Sequence, residues 1–114
     1  MSEKQEFQWS EITAAGRKNV SIAVAFCVSG DAWLRKGHLD RAIEDYDAAL
    51  TMEPSFAEAL VNRGNAWARK GDLRRAIADF NAALRINPRD AKARKNFELA
   101  VQKRSEGDSK SGRN

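Results

Sequence analysis

The sequence predicts an all-α chain: an α-α superhelix built from antiparallel helix pairs. Three observations point there. The first is an internal repeat. Gly30, Trp33, Gly37, Ala42, Ala49, Leu50 and Pro54 return as Gly64, Trp67, Gly71, Ala76, Ala83, Leu84 and Pro88, each displaced by 34 residues. About half the paired positions of Ala23–Phe56 and Ala57–Asp90 are identical, and a fixed period of this length marks stacked helix-pair units. The second is composition. Ala and Leu are plentiful, β-branched runs are few and there are only 2 prolines, while 42% hydrophobic and 32% charged residues suit a soluble globular chain. The third is punctuation: glycine closes the first helix of each copy and proline the second.

Residues 1–19 precede the repeat. Ser2 can cap a helix whose positive end suits Glu3 and Glu6. The apolar Phe7, Trp9, Ile12 and Ala15 are only partly helical in spacing, and Gly16 and Asn19 weaken the pattern. Ile12 and Ala15 fall one period before Tyr46 and Ala49, so the segment reads as an arm or as the worn second helix of an earlier unit. The first unit spans 20–56. Val20 to Lys36 is its first helix, dense in Val20, Ile22, Val24, Phe26 and Val28. Gly30 costs that helix about 1 kcal/mol relative to Ala, and its return at Gly64 suggests a close approach by a neighbouring helix. Leu39 to Met52 is the second helix, with Leu39, Ala42, Ile43, Tyr46, Ala49 and Leu50 on one stripe and Asp40, Glu44, Asp45 and Asp47 off it.

The second unit spans 57–90. Ser55 and Glu58 have capping-box spacing, which predicts a helix from Ser55 to Lys70. Asp72 caps the next, from Leu73 to Ile86, where the first copy has the poorer cap His38. A last helix over 91–104 carries Ala93, Phe97 and Ala100 amid many cations, which suits the terminal cap of a repeat array. Ser, Gly, charged residues and the final Asn114 make up 105–114, so disorder is expected there.

At 114 residues the chain is at most one small domain. Its net charge of +4 and pI near 9.5 are mildly basic. Lys92, Arg94, Lys95, Lys103, Arg104, Lys110 and Arg113 supply much of this, but Glu98, Glu106 and Asp108 dilute them. No aromatic set for base stacking is evident, which weighs against nucleic acid. One cysteine, Cys27, permits no internal disulfide, and with a single histidine, His38, no metal site or cofactor is expected. A reducing, cytoplasmic setting follows. Arg17-Lys18 before the apolar run Val20 to Val28 looks like a signal sequence, but the run starts late, and cleavage near Gly30 would cut the first unit. The run is too short to span a bilayer. No nucleophile–base pair or phosphate loop stands out, so catalysis is not expected.

Gly30, Trp33, Gly37, Ala42, Tyr46, Ala49 and Pro54, followed in phase by Gly64, Trp67, Gly71, Ala76, Phe80, Ala83 and Pro88, resemble the tetratricopeptide repeat family. The likeness covers Ala23 to Asp90 and extends as a capping helix to about Arg104. Departures are mild: Phe26 and Leu60 stand where the family often has Trp, and Ser29 and Arg63 where it prefers Leu.

The resemblance implies a non-catalytic protein-interaction module whose first helices line a concave groove for a peptide or partner helix. The groove positions it implies are Val24, Cys27, Val28, Asp31 and Arg35, then Glu58, Val61, Asn62, Asn65 and Arg69, then Lys92, Lys95, Asn96 and Leu99. Asn62 and Asn65 offer both donor and acceptor to a peptide backbone, and Arg69, Lys92 and Lys95 would meet an acidic segment. One subset of the family clamps the C-terminal carboxylates of chaperones. Asn62 and Lys92 match two of its positions, but Cys27 and Asp31 stand where Lys and Asn are needed, and Asp31 would repel a carboxylate. Two units and a cap fall short of the roughly three such arrays need. Either the leader or another copy of the chain, paired through the apolar first helix, should complete the stack.

Overall fold

The computed structural model describes the backbone of residues 2–112 and the side chains of residues 19–107. Five helices follow one another: α1 (Ser2–Lys36), α2 (Leu39–Met52), α3 (Ala57–Lys70), α4 (Leu73–Ile86) and α5 (Ala91–Gly112). No strand occurs among the described residues. Each helix packs chiefly on its neighbours in the chain, and α1, α3 and α5 also touch along one face.

The two units are built alike. Gly37 and Gly71 take φ of 83° and 89°, which a side chain would resist, and each ends a helix. The Gly71 N–H reaches the Ala68 carbonyl and the Asp72 N–H that of Trp67; Gly37 and His38 repeat this with Leu34 and Trp33. These paired bonds satisfy the last carbonyls of α1 and α3 and turn the chain back on itself. Asp72 accepts the Arg75 N–H at 3.1 Å and so caps α4, whereas His38 makes no such bond for α2. Asp90 caps α5 in the same manner through the Ala93 N–H.

Tyr46 and Phe80 are the largest fully buried side chains. Their rings approach Gly30 and Gly64 closely: a Cβ on either glycine would stand 2.7 Å from Tyr46 Cε1 or 2.6 Å from Phe80 Cε1. The recurring mid-helix glycine therefore makes room for an aromatic ring from the second helix. Ala42, Ala49, Ala76 and Ala83, all without exposed surface, let the backbones close around those rings.

Three expectations need correction. The Ser55–Glu58 capping box does not form; Ser55 donates to Glu53 instead, and α3 starts after Phe56 with no side-chain cap. The backbone runs as one helix through Gly16 and Asn19, so no turn separates the leader from the first unit. Flanking helix formers outweigh penalties of about 1 kcal/mol or less at each site. The Ser2 cap and the apolar Phe7, Trp9 and Ile12 lie outside the described side chains. Finally, α5 does not stop near Arg104 but continues to Gly112. Once Ala93 and Ala100 anchor it, each further residue adds a backbone bond at small cost, helped by the Gln102 to Glu106 contact.

The two ends of the stack differ. Leu60 is 7% exposed because α2 lies over it, whereas its counterpart Phe26 is 38% exposed, with Ile22 beside it. At the other end Arg94 and Glu98 occupy the registers of Leu60 and Gly64, and both face water. Apolar surface thus remains at the α1 end, and charge closes the α5 end.

Candidate functional site

The face shared by α1, α3 and α5 is cross-linked by the same bond made twice. Asn62 Nδ2 donates to Asp31 Oδ1 at 2.9 Å, joining α3 to α1. One period on, Asn96 Nδ2 donates to Asn65 Oδ1 at 3.0 Å, joining α5 to α3. Asp31 Oδ1 also accepts the Tyr46 hydroxyl at 2.6 Å, so one carboxylate oxygen holds three helices together. Burial, together with this bond to a carboxylate, pushes the Tyr46 hydroxyl well above its ordinary range.

The expected groove residues differ in how far they reach solvent. Val24, Val28, Arg35, Glu58, Lys92 and Lys95 are exposed on this face, as is Leu99; Asp31, Asn65 and Asn96 are half-buried. Cys27, Val61 and Asn62 are buried and form the floor. Arg69 is exposed but turns back to donate to the Leu34 carbonyl at 2.8 Å, tying α3 to the end of α1. Asn62 and Arg69 thus have structural partners already. Burial first, then the carboxylates of Asp31 and Glu58, push the Cys27 thiol up to about 12. It stays protonated at neutral pH and is neither a nucleophile nor a ready metal ligand.

The face changes character along its length. Asp31 and Glu58 lie beside Val24 and Val28 at the α1–α3 end, where Arg35 and Arg69 balance their charge, while Lys92 and Lys95 make the α5 end basic. Between α3 and α5 lies a hollow of about 130 Å³, with Asn65, Asn96 and Lys103 among its polar lining and Leu73, Phe80 and Leu99 among its apolar lining. The sequence reading missed Leu73, Phe80 and Lys103 here. Leu73 and Phe80 belong to α4, so a count of first-helix positions alone could not find them.

A second polar cluster stabilises the opposite side. Arg63 grips Asp79 with two bonds of 2.8 Å and reaches Asp47 at 2.8 Å, linking α3, α4 and α2. In the first unit Ser29 and Asp45 occupy the equivalent places and bond directly. Asp45, off the apolar stripe of α2, is therefore half-buried and bonded. The described residues contain no group of three metal-binding side chains and no helix long and apolar enough to cross a membrane.

Comparison with known proteins adds to this geometry. A family model described as tetratricopeptide repeat matches residues 28–91. The first such domain of Spaghetti (RPAP3), bound to the HSP90 peptide SRMEEVD, is 26% identical with a TM-score of 0.69; the match covers 76% of this chain and 73% of that one. The TPR2B domain of yeast Sti1, in a complex with pHsp70, is 25% identical with a TM-score of 0.73, covering 78% and 71%. The Sgt2 domain from Aspergillus fumigatus is 25% identical with a TM-score of 0.71, covering 74% of this chain and 56% of that one. No match was found among curated proteins.

Proposed function

This chain belongs to the tetratricopeptide repeat family, a fold for protein interaction, and from that premise we propose that the α1–α3–α5 face holds an extended peptide segment. The hollow between α3 and α5 carries the reading. Its volume of about 130 Å³ suits one medium apolar side chain, and Asn65 and Asn96 stand at its rim to meet the peptide backbone. Lys92 and Lys95 flank it on α5 and suit acidic residues next to that anchor. Val24 and Val28 extend the apolar contact toward α1. The mechanism is non-covalent: the Asp31–Asn62 and Asn65–Asn96 bonds keep the face rigid, so little ordering cost falls on the protein.

Two of the structural relatives are described with chaperone-derived peptides or partners. Here Asp31 would repel a terminal carboxylate and the neutral Cys27 supplies no positive charge to hold one, so the preferred segment is an internal one. The test is a peptide array probed with the tagged chain. The expected hits pair an apolar residue with adjacent Asp or Glu, and SRMEEVD binds at least tenfold more weakly than the best of them. Lys92→Glu/Lys95→Glu should abolish capture with the helical circular dichroism unchanged. Capture undiminished in that variant would remove the assignment.

A second reading is favoured by the unlike ends of the stack. Ile22 and Phe26 stand uncovered among the described residues, while Arg94 and Glu98 close the far end. An apolar end does not fit a charged one head to tail. We infer a two-fold pairing of apolar ends. Light scattering should then show the mass rising from one to two chains with concentration, and Phe26→Glu should restore the single chain. A constant monomer mass, or an open series of larger species, would contradict it.

A further inference from the structure

A different edge of the molecule collects positive charge. At the turns where α1 meets α2 and α3 meets α4, each unit places a tryptophan between cations. Lys36 Nζ and Arg41 Cζ lie 5.4 and 4.8 Å from the Trp33 ring centre; Lys70 and Arg75 lie 5.6 and 4.6 Å from that of Trp67. A hollow of about 700 Å³ opens beside Trp67, with Lys70, Arg74, Arg75, Lys103 and Arg104 around it. Asp72 is its one carboxylate, already engaged in capping α4 and within 3.5 Å of Arg75. Five cations less one carboxylate give +4, the net charge of the entire chain. A neighbouring hollow of about 460 Å³ contains His38 and Arg41 and shares Lys70 with the first.

We propose that this turn edge is a second docking surface, separate from the α1–α3–α5 face, for an acidic segment of a partner protein rich in Asp and Glu. Charge complementarity selects the class of ligand. The tryptophans add preorganisation: Arg41 and Arg75 rest on rings, so their planar donors are held in place before a carboxylate arrives. A single-stranded nucleic acid fits less well. Each ring already carries a guanidinium, with which a stacking base would have to compete. Asp40, paired with Lys70, and Asp72 also interrupt the trough, and a continuous line of phosphates would have to pass them. Discrete side-chain carboxylates can be spaced around both.

The test uses the full chain and a fluorescently labelled hexaglutamate peptide, which lacks the apolar anchor wanted by the other face. Anisotropy titrations should show binding at 50 mM NaCl that weakens at least tenfold by 300 mM. Arg74→Glu/Arg104→Glu, at two exposed positions, should lower affinity by a further tenfold or more. Lys92→Glu/Lys95→Glu should leave it within twofold. Lys103 borders both hollows and is left alone. The neutral pair Arg74→Gln/Arg104→Gln guards against misfolding of the reversed variant and should lose binding at least threefold. Absence of binding at 50 mM NaCl would overturn the proposal. Loss confined to the Lys92/Lys95 variant would also overturn it, because the acid site would then be the other face. Preference for an oligothymidylate of similar charge would overturn it in favour of nucleic acid.

Discussion

Ala76→Glu should leave the chain without a cooperative unfolding transition. Ala76 has no exposed surface and sits in the core with Leu60, Phe80 and Ala83. A carboxylate there has neither space nor a partner, and an unpaired buried charge costs roughly 5 kcal/mol or more. Domains of this size are stable by only about 5–15 kcal/mol, and a short repeat array should lie near the low end. Far-ultraviolet circular dichroism on heating is the measurement. The wild type should melt as one transition, and the variant should show reduced helix at 20 °C with a gradual decline. Ala78→Glu, two residues on and exposed, serves as the control and should change stability by no more than about 0.5 kcal/mol. A normal melt for Ala76→Glu would mean that α4 does not pack as described.

Arg63→Met should cost about 3 kcal/mol, because it strips the partner from a carboxylate inside the stack. The Asp79 side chain is only 9% exposed, and Arg63 supplies both of its bonds to α3. Those bonds to Asp79, set against the cost of burial, hold the guanidinium charged far above neutral pH. Replacing both partners tests the point. Arg63→Met/Asp79→Leu removes the orphaned charge as well as the pair and should recover at least half of the loss in urea titrations. If the two single losses simply add, the pair contributes nothing beyond its separate side chains.

The repeat made the helix pairs legible because periodicity carries its own check: two copies must agree in phase. Gly37 and Gly71 mark their turns because they accept a positive φ that other residues resist, and Pro54 and Pro88 because each lacks the N–H that a continuing helix needs. The ends of the array were harder. Nothing in Ser105–Gly112 reads as helix by composition, and it is α5's attachment to the core that lets helix propagate outward. The candidate face was legible only as a list of positions. Which of them face water depends on pairings between helices: Asn62 bonds to Asp31 at a separation of 31 residues, and Arg69 reaches a carbonyl 35 residues earlier. Such partners are set by how the helices are stacked. The turn-edge hollow was missed for a related reason, since Trp67, Arg74 and Arg104 meet only when three helices are assembled.

Glu98 also decides where such an array can be lengthened. A further pair added after α5 would bring an aromatic ring to the register that Gly30 and Gly64 keep clear, and the Glu98 side chain fills that space. Lengthening on that side would therefore need Glu98 replaced by a residue without a side chain. An extra 34-residue cassette spliced in after Pro54 meets none of this, because α2 and α3 already show the mating surfaces that it would need on both flanks. Each insertion would widen the inner face by about 10 Å, one helix-to-helix spacing. The apolar α1 end and the charged α5 end would keep their chemistry, so the reach of the molecule could be set from its middle without rewriting either.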